Sequence, residues 1–165
     1  MRNRQSNRRS FLKASLAGSA TAGAASLALP ARAVGKSGAE KKIINPSGQP
    51  LAPTAMFSPA TQLGNLLFLS GSGAMDPATH KVVPGPIGNQ VKQCLENLKV
   101  VLTAAGSSMD KVLKCTVFLT DITNFQAMNE VYHSYFTSNP PARTTIAVKD
   151  LPGESPVEIE CIAYV

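Results

Sequence analysis

Val157-Glu158-Ile159-Glu160-Cys161-Ile162-Ala163-Tyr164-Val165 alternates in character residue by residue. Val157, Ile159, Cys161 and Ala163 form an apolar set, and Glu158, Glu160 and Ile162 form a mixed one. Successive side chains of a strand point to opposite faces. The stretch therefore reads as a strand with one face on a core and the other carrying charge beside apolar groups. Immediately upstream, Leu151–Pro156 is a Pro/Gly turn, and Arg143–Val148 reads as another strand. Farther back the period changes. Phe125, Met128, Val131, Tyr132, Tyr135 and Phe136 predict a helix over Asn124–Thr137, which Asn139-Pro140-Pro141 ends. Lys111–Thr120, rich in Val, Thr and Phe, predicts a strand. Val91, Leu95, Leu98, Val101 and Leu102 predict a helix over Ile87–Ala105, with Gly106 just past its end.

The earlier part of the chain adds three strands. Lys42–Asn45 reads as a short first one. Two more lie around Thr54–Gln62 and Leu66–Ser70, joined by a turn at Leu63-Gly64-Asn65. The unbroken apolar run Leu66–Leu69 predicts a strand covered on both faces. Ser70-Gly71-Ser72-Gly73 then breaks that strand, and 76–88 forms a long Pro/Gly loop. The order β-β-β-α-β-α-β-β implies an α+β fold, one six-stranded sheet with two helices on one face. Two helices leave the second sheet face uncovered. Its mixture of charge and apolar groups marks it as a candidate subunit interface, and an oligomer is expected.

Charge is unevenly placed along the 165 residues. The whole chain has 16 Lys+Arg against 10 Asp+Glu, a net +6. Residues 1–33 hold six of those cations (Arg2, Arg4, Arg8, Arg9, Lys13, Arg32) and no acid, so residues 34–165 hold 16 − 6 = 10 cations against 10 acids. A formally neutral body has no bulk attraction for a phosphate backbone. The absence of Trp and only 5% aromatics argue against base stacking on single strands. No nucleic-acid partner is expected. The length suits one domain, and 44% hydrophobic residues can fill its core.

The cationic segment reads as an export address. Asn7-Arg8-Arg9-Ser10-Phe11-Leu12-Lys13 is a twin-arginine pattern, followed by a weakly apolar stretch from Ala14 to about Leu29 and by Ala31-Arg32-Ala33, a cleavage pattern. Cleavage after Ala33 and a periplasmic or exported location are expected, with membrane contact only during export. The division is then a signal peptide at 1–33, a polar lead-in with the first short strand at 34–49, and the folded domain at 50–165. Cys94, Cys115 and Cys161 follow no metal spacing, and small buried thiols are the expected state. His80 and His133 are the only histidines, so no metal cluster is readable.

Arg143 is the sole arginine of residues 34–165, beside nine lysines. A guanidinium offers a planar two-point grip on a carboxylate or phosphate that lysine lacks. The other reading is a structural ion pair, with Glu158 as the candidate partner. Glu158 itself, among apolar strand neighbours, must be paired, hydrogen-bonded or protonated. It could activate a water, or be an exposed strand carboxylate. Gly71 ends an apolar strand, where its backbone faces a ligand or simply turns the chain.

Further blocks carry a family resemblance: Leu63-Gly64-Asn65, Leu69-Ser70-Gly71, Asp76-Pro77, Ala104-Ala105-Gly106, Val117-Phe118-Leu119-Thr120-Asp121, Met128-Asn129-Glu130-Val131-Tyr132, Pro140-Pro141-Ala142-Arg143-Thr144-Thr145 and Val157–Ala163. From about Pro50 to Val165 the chain resembles the RidA/YjgF family of imine/enamine deaminases. The resemblance implies a chorismate-mutase-like protomer with a mixed sheet. It also implies a homotrimer with ligand sites between subunits, and hydrolysis of 2-aminoacrylate-type enamines and 2-imino acids to 2-keto acids and ammonia. It implies neither cofactor nor metal. By position, Arg143 matches the arginine that binds the substrate carboxylate, and Glu158 the glutamate that hydrogen-bonds the catalytic water. Gly71 and Thr145 match cleft-lining positions, and Asn129 a ligand-side asparagine. Phe57 falls where many members have a site tyrosine, Ser72 where Gln is frequent, and Thr145 where some have Cys. A trimeric binding protein for small keto or amino acids is the second reading, and a protein-interaction role the third.

Overall fold

The computed structural model describes residue 38 and residues 40–165. The twin-arginine pattern, its cleavage site and the start of the lead-in lie outside the described residues. The strands are β1 (Lys42–Ile44), β2 (Ala60–Leu63), β3 (Leu66–Gly73), β4 (Val112–Leu119), β5 (Ala142–Ala147) and β6 (Val157–Tyr164), and the helices are α1 (Ile87–Ala104) and α2 (Phe125–Tyr135). The sheet order is β1-β2-β3-β6-β4-β5. Only β4 and β5 run parallel, so the sheet is mixed, as expected.

The alternation in β6 sets the layers. Val157, Ile159, Cys161 and Ala163 are buried. Leu67 and Leu69 of β3 and Cys115, Val117 and Leu119 of β4 join them through the ladder register. Val91, Cys94, Leu95, Leu98 and Leu102 of α1, with Met128 and Tyr132 of α2, close the core from above. One helical layer thus covers one sheet face, and burying such side chains supplies the main stabilisation. All three cysteines are buried free thiols.

Three expectations are corrected. The segment 54–59 is not strand; pairing starts at Ala60. Pro53 and Pro59 lack an N–H for a ladder, and Ser70 instead ties this segment down, its N–H donating to Pro59 O at 3.0 Å and its hydroxyl to Ser58 O at 2.8 Å. The Ser70–Gly73 segment does not end β3. The strand continues to Gly73, with a register shift against β6 between Leu69 and Ser72 that takes up the irregular residues. Nor is the Leu66–Leu69 run covered on both faces within the chain. Leu66 and Phe68 are 38% and 44% exposed, because β3 is antiparallel to both neighbours and only its Leu67/Leu69 side meets the helices. The loop before α1 is closed by an isolated bridge between Met75 and Val82, and α1 starts at Ile87, as its apolar period predicts.

Candidate active site

Glu158 occupies the second position of β6, opposite Gly73 of β3 and Phe118 of β4. Phe118 alternates with the buried β4 residues, so Glu158 points to the open sheet face. The irregular stretch of β3 passes directly beneath its carboxylate. A Cβ on Gly71 would collide with the Glu158 carboxyl group, so only glycine leaves room for it there. Phe57, Ser70, Gly71, Gly73, Met75, Pro152, Gly153 and Glu158 line a cleft of about 430 Å³. Burial raises the Glu158 carboxyl above its ordinary range, and the nearby Glu160 charge adds to the rise.

Local structure fixes this cleft. The buried Ser155 hydroxyl accepts from Ala74 N–H at 2.9 Å and donates to Val157 O at 2.6 Å, joining the end of β3 to the start of β6. The Asn97 amide of α1 donates to Gly73 O at 3.3 Å and Met75 O at 2.9 Å. Gly153 turns the chain at φ +67°, in the region that favours glycine.

Arg143 stands elsewhere. It is the second residue of the edge strand β5 and pairs with Cys115, a buried helix-side residue of β4. It therefore points to the helix face. Its guanidinium carbon lies 4.6 Å from the Tyr132 ring centre and 5.7 Å from that of Phe125, and Nη1 is 3.9 Å from Met128 Sδ. It makes no ion pair among the described residues, where the single pair is Lys99–Glu96. Asn129, Tyr132, His133, Phe136, Pro140, Pro141 and Arg143 line a second cleft of about 550 Å³. Asn129 Oδ1, Tyr132 Oη and Thr145 Oγ1 are buried with no hydrogen-bond partner. Such groups are costly unless something completes them.

The expected site residues thus fall into two groups. Phe57, Gly71 and Glu158 share the open-face cleft, where Phe57 is 72% exposed. Arg143 and Asn129 share the helix-side cleft, and Thr145 follows Arg143 on the same strand face. An Arg143–Glu158 ion pair is ruled out. Their β4 partners, Cys115 and Phe118, differ by an odd number of residues, so the two side chains leave opposite faces of the sheet. Their backbones are also roughly 14 Å apart by strand spacing. Sequence reasoning missed the Phe125–Met128–Tyr132 group around Arg143, because the spacing that gathers it is also that of an ordinary core stripe. It also missed Met75 and Gly153, which lie in segments legible only as loop and turn.

The family model described as Endoribonuclease L-PSP matches residues 47–165. A RutC family protein of Pyrococcus horikoshii is 46% identical over 112 residues, 68% of this chain and 89% of that protein. A 2-iminobutanoate/2-iminopropanoate deaminase of Rattus norvegicus is 42% identical over 123 residues, 74% of this chain and 89% of that protein. The crystal structure of YyfA, a Rid family protein of Yersinia pestis, matches with a TM-score of 0.71 at 37% identity, covering 76% of this chain and 100% of that one. Sequence across the whole folded unit and the shared mixed sheet agree, and the chain belongs to the RidA/YjgF family.

Proposed function

We propose that the chain is an exported deaminase that hydrolyses 2-aminoacrylate-type enamines and 2-imino acids to 2-keto acids and ammonia. Imine deaminase activity occurs in its family, as the rat relative's name records. The observation that carries the reading is the pair of unfinished half-sites. Arg143 is a guanidinium with no carboxylate partner among the described residues, in a cleft that it shares with Asn129 and Tyr132, whose Oδ1 and Oη have no hydrogen-bond partner. Glu158 is a carboxylate of raised pKa in an apolar cleft with no cation lining it. Each holds what the other lacks, and one chain cannot bring them together. A homotrimer with its sites between subunits would do so.

In that site Arg143 grips the substrate carboxylate through charge-assisted hydrogen bonds. An enamine first takes a proton on carbon to become the imine. Glu158 holds a water against the imine carbon and accepts its proton as the C–O bond forms. Glu158 then returns that proton to the carbinolamine nitrogen, and ammonia leaves as the hydroxyl gives its own proton back to the carboxylate and becomes the carbonyl of the 2-keto acid. A carboxylate whose pKa is raised is a stronger base than an ordinary one, which suits this role. The neutral body of residues 34–165 argues against the ribonuclease chemistry in the family description. The twin-arginine pattern at Arg8-Arg9 supports export to the periplasm.

The test generates 2-iminopropanoate in situ with an amino-acid oxidase and traps the surviving imine with semicarbazide. The purified protein should lower trapping, and Arg143→Ala should not. Equal behaviour of the two would overturn the deaminase reading. One observation favours a second reading, a carboxylate-binding protein without fast turnover. Phe57 brings a ring to the Glu158 cleft but no hydroxyl. Tight pyruvate binding without loss of imine would support it.

A further inference from the structure

We propose that Phe125, Met128 and Tyr132 are positioning residues for Arg143, holding its guanidinium ready for a ligand carboxylate in place of a structural anion. The inference rests on the carboxylate-binding reading of Arg143. An acid paired with Arg143 would occupy the guanidinium donors that a ligand carboxylate needs. Here Arg143 is held by a different kind of contact. The Tyr132 ring stands 4.6 Å from the guanidinium carbon and the Phe125 ring 5.7 Å, within the range of cation–π attraction. Met128 Sδ is a weak acceptor 3.9 Å from Nη1. These groups restrain the charge without neutralising it, so the remaining N–H donors stay available to a ligand.

Phe125 adds an independent argument. It opens α2 and is 39% exposed, so core packing does not account for a large ring there. Its place one turn before Met128 and two before Tyr132 puts all three on the helix stripe that faces Arg143. The unpartnered Asn129 Oδ1 belongs to a residue lining the same cleft as Arg143, and Thr145, next on the same face of β5, leaves its Oγ1 unpartnered too, which marks this side as a place where a ligand arrives. Restraining a flexible side chain before binding improves affinity by lowering the ordering cost of the complex.

The experiment titrates the full chain with pyruvate by calorimetry, and measures KM and kcat in the imine-trapping assay. Phe125→Leu and Tyr132→Leu should each weaken pyruvate binding and raise KM about tenfold, with kcat largely kept. Tyr132→Phe should recover most of the affinity that Tyr132→Leu loses, since it keeps the ring. If Tyr132→Leu does not fold, Phe125→Leu at the exposed helix start decides alone. Normal affinity in the leucine variants, with binding lost in Arg143→Ala, would refute the positioning role and leave the carboxylate reading intact. A Tyr132→Phe variant as weak as Tyr132→Leu would also refute it, because the hydroxyl and not the ring would then matter. Normal pyruvate binding in Arg143→Ala would remove the carboxylate reading and this inference with it.

Discussion

Arg143 offers a forked cation and Glu158 a carboxylate of raised pKa, and the two side chains leave opposite faces of one sheet. A single guanidinium among nine lysines is visible in a count, and a glutamate in an apolar strand is visible in the alternation. Their geometry was not legible, because it depends on the register of β5 on β4 and of β6 on β4, two independent long-range pairings. The chemistry at Arg143 is a forked grip, so Arg143→Lys should fail although the charge is kept. Charge-assisted hydrogen bonds of about 1.5–3 kcal/mol are at stake, and kcat/KM in the trapping assay should fall about ten- to a hundredfold. At Glu158 the sign follows from the two causes of its raised pKa. Burial and the Glu160 charge both disfavour the carboxylate. The base must be ionised to accept a proton, so activity should be lost on acidification through a pKa above the ordinary carboxylate range. Glu160→Gln removes the like charge and leaves the burial. The acid limb of the kcat/KM profile should move to lower pH without returning fully to the ordinary value. An unmoved limb would mean that Glu158 is not the group that titrates.

At the scale of elements, periodic segments are legible in the sequence and irregular ones are not. The helices α1 and α2 and the strands β4, β5 and β6 were legible because hydrophobic period is a local property. The β3 irregularity was not. Ser70–Gly73 looks like a chain breaker, yet the pairing resumes at Ser72 and Gly73 because β6 supplies a partner from far along the chain. That continuation puts Gly71 under Glu158, so the misread element is the one that forms the floor of the cleft. Ser155 holds the junction between β3 and β6. Its hydroxyl serves Ala74 N–H and Val157 O together, in a position only 1% exposed. Ser155→Ala should leave Ala74 N–H unsatisfied and Val157 O with only the weak Cys94 thiol donor at 3.5 Å, at a cost of about 1–3 kcal/mol in urea unfolding. Activity should fall further than the loss of folded protein explains, since the same junction sets the height of Gly71 beneath the carboxylate. A variant with unchanged urea midpoint would show that water replaces the hydroxyl, and the junction would then be dispensable.

For the whole molecule, the question is whether one chain is a complete site. The sheet separates Arg143 from Glu158, with the guanidinium on the helix side and the carboxylate on the open side. The open side also leaves Phe68 and Ile146 44% and 43% exposed, an apolar surface that a second copy of the chain would cover. In the proposed trimer, the Arg143 edge of one subunit meets the Glu158 cleft of its neighbour. Subunit mixing tests this directly. Arg143→Ala and Glu158→Ala should each be inactive alone. Unfolded together in equal amounts and refolded, they should regain activity, because an Arg143→Ala subunit still offers Glu158 and a Glu158→Ala subunit still offers Arg143. In a ring assembled at random, about a quarter of the interfaces carry both intact groups in the right order, so about a quarter of the unmutated activity should return. Sites contained within single chains would stay dead in every mixture, since no subunit holds both residues. Persistent inactivity of mixed trimers, with their assembly shown by sedimentation, would therefore refute the shared site and require some other route for Arg143 to reach the carboxylate's side of the sheet.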